Sequence, residues 1–227
     1  MYVFEPAKTV SLSIQGSDKR FPINRIFCIG RNYAAHAIEM GVAPDTRPPL
    51  YFQKSNDCLE TTGSFPYPSQ SNDVQHEVEL VVGLKSGGAN LTLDAAKETI
   101  FGYAIGLDMT RRDLQRDAKT RSHPWEASKS FPHAAPMGPM HRKEDVGDLS
   151  SGGITLQVND EVRQSGDLNQ MIWSIPALIA HLSTRTNLLP GDLIMTGTPS
   201  GVGPVLVGDT IIASIDGLGS IQVSVVL

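Results

Sequence analysis

Three acidic residues and one histidine–glutamate pair carry the chemistry open to this chain. In "HEVELVV", residues 76–82, Glu77 and Glu79 stand two apart. Side chains two apart on a strand project to one face, so these carboxylates lie together while Val78, Leu80 and Val82 face the other way. Like charges so placed repel each other, and a bound cation offsets the repulsion. The plainer alternative is an exposed edge strand whose polar face meets water. Asp108 closes the apolar run "FGYAIGLD", at a strand end where loops deliver functional groups. Two Glu and one Asp make a hard, all-oxygen donor set that suits Mg²⁺ or Mn²⁺ and not zinc, which prefers His and Cys. The HExxH metalloprotease pattern fails, because position 80 is Leu.

The pair lies in "GRNYAAHAIEMG", residues 30–41, where His36 and Glu39 are three apart on a short helix between two glycines. This spacing puts them on one helix face. A solvated face, a metal site and a catalytic base oriented by a carboxylate all fit these twelve residues. With a metal supplied by the three carboxylates, His36 is free to act as the base, since imidazole titrates near neutrality. Gly30 and Gly41 would then serve as hinges of a helical lid, displaced near residues 30–45 when no ligand is bound.

Other segments are less telling alone. "TGTPSGVG", residues 196–203, follows a strand, lacks the Gly-Lys-Ser/Thr of a P-loop and is not a GxGxxG before a helix. It is either a multiple turn or a loop that offers backbone N–H groups and the Thr198 hydroxyl to a carboxylate. Lys129 in "ASKSF", and Arg112 and Gln115 in "TRRDLQ", read by themselves as solvated surface residues.

The elements that must position these groups are mostly strands. "RIFCIG" is a short apolar strand ending at Gly30, "HEVELVVGL" is a strand, and "FGYAIGLD" is another. "LTLDAAKETI" begins as a helix capped by Thr92, with Leu93, Ala96 and Ile100 on one face. "GITLQVNDEVRQSGD" reads as a hairpin turning at Asn159-Asp160. "SIPALIAHLSTRTNLLPGD" is a helix with Ser174 as cap, Pro176 in the first turn and Ile175, Leu178, Ile179 and Leu182 as its buried stripe. Strand units "DLIMTGT", "DTIIASI" and "GSIQVSVVL" close the chain. The expected fold class is α+β, mostly β, with a few short helices. Residues 1–20 read as a small N-terminal β segment and residues 21–227 as the catalytic domain.

Bulk properties exclude several classes. With 19 basic against 24 acidic residues, net charge −5 and no basic run, nucleic acid is excluded as a partner. No apolar run approaches the roughly 18 residues of a membrane span, and the N-terminus has no secretory signal pattern. The two cysteines, Cys28 and Cys58, lie outside any CxxC or zinc spacing and read as reduced thiols of a cytoplasmic protein.

Taken in order, "GRNYAAHAIEMG", "HEVELVV", "GYAIGLDMTRRDLQ", "ASKSF" and "PGDLIMTGTPSGVG" closely resemble the fumarylacetoacetate hydrolase family, in its short acylpyruvase branch. The resemblance runs from about residue 20 to the end, and the "RFPINRIFCIGRNYA" junction looks most like the fumarylpyruvate-cleaving members of bacterial gentisate catabolism. The resemblance implies a mixed β-sandwich roll, a homodimer, and one Mg²⁺ or Mn²⁺ on Glu77, Glu79 and Asp108. It implies a His36–Glu39 catalytic dyad, Lys129 on the oxyanion side, and Arg112, Gln115 and Thr198 at the substrate. The implied substrate is a small 2-oxo or 2,4-dioxo acid. Hydrolysis of an acylpyruvate, with fumarylpyruvate foremost, is the implied reaction. Oxaloacetate decarboxylation and enol–keto isomerisation of a 2-oxo acid are chemistries that the same ligands support. The sequence departs from that pattern at His133-Ala134-Ala135, where relatives often carry small hydroxylated residues or a cysteine.

Overall fold

The computed structural model of the chain describes residues 1–41, 43 and 48–227. Two mixed sheets dominate it. The strands of the first are β1 (Ile26–Gly30), β2 (Leu50–Lys54), β4 (Val78–Leu84), β5 (Ile100–Leu107), β6 (His141–Arg142) and β9 (Leu193–Met195), in the spatial order β6-β5-β4-β9-β1-β2. Only the β9–β1 pair in it is parallel. The second sheet is built from β3 (Ser64–Pro66), β7 (Gly153–Val158), β8 (Glu161–Asp167), β10 (Thr210–Ile215) and β11 (Gly219–Val226), in the order β8-β7-β10-β11-β3. Its strands β7 and β10 pack on β4 and β5 of the first sheet.

The burial of each strand follows from this layering. β7 and β10 alternate, burying Ile154, Leu156 and Val158 and then Ile211, Ala213 and Ile215, as a half-covered sheet requires. The β7–β8 hairpin turns at Asn159 and Asp160, both left-handed at φ 50° and 66°, the pair of angles a two-residue turn of the right twist needs. β4 is different: every one of its residues is buried. It sits third in a six-stranded sheet with cover on both faces, so the exposed-edge reading of "HEVELVV" does not hold.

The helices are short. α1 (Ala34–Glu39) follows β1, α2 (Leu93–Glu98) precedes β5, and α3 (Arg112–Thr120) and α4 (Glu126–Lys129) follow it; α5 (Ile175–Ser183) leads towards β9. Thr92 caps α2, accepting from Ala95 N–H at 3.2 Å. Leu93, expected on the buried face of α2, is 58% exposed; a six-residue helix buries little more than one position, here Ala96. α5 buries the expected stripe of Ile175, Leu178, Ile179 and Leu182, with Pro176 in its first turn, although Ser174 makes no side-chain cap bond. Residues Ser11–Ser13 and Arg20–Pro22 form a small antiparallel ribbon whose Leu12 and Phe21 join the core. No helix among the described residues is long and apolar enough to cross a membrane.

Candidate active site

Glu77, Glu79 and Asp108 converge, each offering a carboxylate oxygen within 4.8 Å of the others, and all three are buried. The β4–β5 ladder causes this. Val78 pairs with Leu107 and Asp108 N–H donates to the Glu77 carbonyl at 2.8 Å, so the start of one strand meets the end of the other. The same cavity is lined by His36, Arg112, Gln115, Lys129 and Thr198. All nine residues singled out in the sequence therefore belong to one region, with Glu39 standing behind His36.

The carboxylates differ in how they are neutralised. Glu77 is held between two cations: Lys129 Nζ lies 2.8 Å from its Oε2, and the Arg112 guanidinium pairs with its Oε1. Burial alone would raise the Glu77 acid, but Lys129 and Arg112 outweigh burial and hold it below the usual carboxylate range. Among the described residues Glu79 has no such cation, and its Oε2 accepts only the Gly197 N–H, at 2.7 Å. Burial, reinforced by the neighbouring Asp108 and Glu77 charges, pushes Glu79 well above the usual range. Asp108 Oδ2 accepts from Lys129 at 2.8 Å. Its Oδ1 lies 2.8 Å from Lys54 Nζ, but off the hydrogen-bond direction, and has no directed donor. A buried carboxylate without a counter-cation beside an orphaned carboxylate oxygen is a set that a hard divalent ion would complete.

Lys129 and Arg112 are not the solvated residues that their segments imply in isolation; they are 2% and 5% exposed. Lys129 Nζ donates to Glu77, Asp108 and Thr110 Oγ1, at 2.8, 2.8 and 2.6 Å, so its three hydrogens are all taken by the protein. Arg112 donates to Gln75 Oε1 at 2.8 Å and Gln115 Oε1 at 2.7 Å, besides its pair with Glu77. Because Gln115 spends its oxygen on Arg112, its NH₂ group is the end left to the cavity.

The dyad is assembled from two elements. His36 Nδ1 lies 3.0 Å from Glu39 Oε2 on α1, and Glu39 Oε1 accepts the Gly201 N–H at 2.8 Å. With Nδ1 turned to the carboxylate, His36 presents Nε2 to the cavity. α1 is docked, with His36 buried; of the span 30–45 expected to form a lid, Val42 and residues 44–45 lie outside the described residues. The Gly-rich loop serves the protein's own carboxylates through two backbone N–H groups, Gly197 to Glu79 and Gly201 to Glu39. Both glycines are left-handed (φ 100° and 97°), and a Cβ on Gly201 would fall 1.9 Å from the Arg163 carbonyl, so no other residue fits there.

Residues the sequence did not single out complete the site. Lys54, 2% exposed, donates to the carbonyls of Met109 (3.2 Å) and Lys129 while its charge faces Asp108. Asn32 ties the end of β1 to the Gly-rich loop through Thr196 O at 2.8 Å and to Trp173 N–H at 2.8 Å. Gln164 of β8 donates to Thr198 Oγ1 at 2.8 Å. No local pattern marks any of them, since each partner is distant in the chain. Arg31 carries the one signal that could have found it: it directly precedes "NYAAH" and lines the cavity, with a left-handed backbone (φ 65°) of a kind concentrated at functional sites.

Known proteins match this chain over nearly its whole length. The model of the fumarylacetoacetate (FAA) hydrolase C-terminal family matches residues 25–226. The crystal structure of fumarylpyruvate hydrolase from Pseudomonas aeruginosa, in complex with Mn²⁺ and pyruvate, is 45% identical, covers 100% of both chains and superposes with a TM-score of 0.97. A fumarylpyruvate hydrolase of Ralstonia sp. is 40% identical over 177 residues, 78% of this chain and 92% of that one. The mitochondrial oxaloacetate tautomerase of Mus musculus is 40% identical over 200 residues, 88% of this chain and 90% of that one.

Proposed function

The chain belongs to the fumarylacetoacetate hydrolase family, and from that premise we propose that it is a divalent-metal-dependent hydrolase of the C–C bond of acylpyruvates, with fumarylpyruvate, cleaved to fumarate and pyruvate, as its substrate. The observation that carries the reading is the convergence of three buried carboxylates and a carboxylate-oriented histidine on one cavity. Its support from outside is the Mn²⁺ and pyruvate bound to the Pseudomonas aeruginosa enzyme.

Glu77, Glu79 and Asp108 would hold one Mg²⁺ or Mn²⁺. When bound there, the ion supplies Lewis-acid polarisation of a 2-oxo acid. The protein's own groups do the rest. His36 Nε2 takes a proton from the water that attacks the acyl carbonyl, and Glu39 steadies the imidazolium that results; the C3–C4 bond then breaks, the acyl part leaves as the acid, and the proton returns to C3 of the departing pyruvate enolate. Lys129 would stand on the oxyanion side and would offer a hydrogen to the substrate when Glu77 and Asp108 hold the ion. Thr198 and Gln115 offer an O–H and an N–H to the 2-oxo acid's carboxylate, and Arg112 fixes both Gln115 and Glu77. Arg31 and Lys119 line the outer part of the cavity and make no hydrogen bond or ion pair among the described residues. They suit an acyl group ending in a second carboxylate, as fumaryl does. The test is loss of the ultraviolet enol absorbance of fumarylpyruvate with Mg²⁺, and its absence with EDTA. Unchanged absorbance with metal present, across several acyl chains, would sink the hydrolase reading.

A second reading, oxaloacetate tautomerisation or decarboxylation, is favoured by the similarity to the mouse tautomerase. It requires proton transfer or loss of carbon dioxide with no attacking water. Rates with oxaloacetate and fumarylpyruvate, measured side by side, separate the two. The assembly we propose is a cytoplasmic homodimer whose catalytic unit is residues 21–227, with 1–20 as an attached segment. The two free, buried thiols are consistent with a reducing compartment, and light scattering measures the assembly.

A further inference from the structure

We propose that Gln164 is a positioning residue: its amide fills the acceptor side of the Thr198 hydroxyl and so turns the Thr198 proton towards the carboxylate of a bound 2-oxo acid. The inference rests on the reading above that Thr198 meets that carboxylate.

The orientation of the Gln164 amide follows from two partners of unambiguous polarity. Its Oε1 accepts from the Val78 N–H at 3.0 Å, and its Nε2 donates to the Pro199 carbonyl at 2.8 Å. Turning the amide over would set N–H against N–H and carbonyl against carbonyl, at a side chain with no solvent exposure to relieve either clash. His76 Nδ1, 3.0 Å from the same Oε1, is therefore a donor as well. The second hydrogen of Nε2 is the one directed at Thr198 Oγ1, at 2.8 Å. A hydroxyl that accepts from an amide keeps one hydrogen to give. Thr198 Oγ1 donates to no protein acceptor among the described residues, and the residue lines the cavity with Glu79, Asp108 and Gln115.

The consequence is a donor of set direction. Without the amide, the Thr198 hydroxyl loses the donor that fills its acceptor side, and the Pro199 carbonyl loses its partner as well. The hydroxyl would then rotate among its staggered positions, and only one of them gives its hydrogen to an incoming anion. Gln164 lies on β8 of the second sheet, so the orientation of a loop hydroxyl after β9 is set by the packing of one sheet on the other.

The test is pyruvate affinity of the Mn²⁺-loaded protein, measured by calorimetry. Thr198→Val is expected to weaken pyruvate about tenfold, the size of a hydrogen bond to a charged group, and Thr198→Ser to change it little. Gln164→Glu, whose second oxygen would accept the Thr198 hydrogen, is expected to weaken pyruvate about as much as Thr198→Val, and Gln164→Met, which only frees the rotor, by about threefold, with Mn²⁺ affinity retained. Adding Gln164→Met to Thr198→Val should cost nothing further. Gln164→Met, uncharged and of similar length, carries the test if Gln164→Glu does not fold. Wild-type affinity in Thr198→Val removes the Thr198 contact on which the inference rests. A weakened Thr198→Val with a wild-type Gln164→Met, or effects that multiply in the double variant, overturns the positioning role alone.

Discussion

His36 Nδ1 lies 3.0 Å from Glu39 Oε2, while the other oxygen of that carboxylate accepts 2.8 Å away from the Gly201 N–H. The proposed base is thus tied to the Gly-rich loop through its partner. His36→Ala is expected to lower kcat for fumarylpyruvate by roughly 10²–10⁴ while Mn²⁺ binding is retained, because histidine is outside the ligand set. Gly201→Ala should reproduce much of that loss without touching either member of the pair, since its Cβ would collide with the Arg163 carbonyl and move the loop. Stopped-flow kinetics with a parallel Mn²⁺ titration checks both. Loss of Mn²⁺ binding in His36→Ala would contradict the assignment.

Two neighbouring carboxylates should respond oppositely to neutralisation. Glu77 compensates Lys129 and Arg112, so Glu77→Gln leaves buried charge unpaired and should destabilise the metal-free protein by about 3–5 kcal/mol. Glu79 has no cation of its own among the described residues, so Glu79→Gln should leave the metal-free protein as stable or more so. Both variants should lose Mn²⁺ affinity. Thermal melts in EDTA, then with added Mn²⁺, read the two effects separately; equal destabilisation by both would refute the asymmetry.

Arg31 and Lys119 should read the far end of the substrate. Partial burial, and after it the nearby Arg112 and Arg31, lowers the Lys119 ammonium. Lys119 also lies 5.1 Å from the Trp125 ring centre, a contact that would hold it in place without a carboxylate. 2-Oxoheptanedioate, which lacks the scissile diketone, is expected to bind the Mn²⁺-loaded protein roughly five- to tenfold tighter than 2-oxoheptanoate. Arg31→Leu with Lys119→Met should close that gap and leave the monoacid unchanged. A gap that survives both substitutions would leave Lys119 as a helix-end cation with no ligand role.

Away from the site, Glu60 should contribute a pH-dependent share of stability. Burial raises its acid, but hydrogen bonds from Thr62 (2.5 Å from the backbone N–H) and the contact with His133 (2.7 Å) more than offset burial and hold it below the usual range. A carboxyl lowered by folding stabilises above its unfolded value and loses that contribution as pH falls through the folded one. The wild type should therefore lose stability on acidification below about pH 4.5 more steeply than Glu60→Gln, measured by urea melts. Parallel curves would contradict this. This contact also engages His133, which departs from the family's pattern in the segment after Lys129 and has its own partner outside the cavity.

The sequence by itself determined the candidates for the chemistry: two glutamates at strand spacing, an aspartate at a strand end, and a histidine three residues before a glutamate. Each is a short-range pattern, and backbone geometry alone converts i,i+2 or i,i+3 spacing into a shared face. The hairpin at Asn159-Asp160 and the stripe of α5 were legible for the same reason. Tertiary structure alone decided the electrostatics. Lys129, Arg112 and Gln115 read as solvent-facing in their own segments; only the family resemblance brought them to the site, and their burial beside the carboxylates is a product of the packing around β4. Lys54, Asn32 and Gln164 carry no local signal, because their partners are far along the chain. A charge's cost or benefit depends on what lies within a few ångströms once water is excluded. Chain spacing gives the direction of a side chain; only the packing of the two sheets sets the neighbours that hold Glu77 ionised, deny Glu79 a cation and direct the Thr198 hydroxyl.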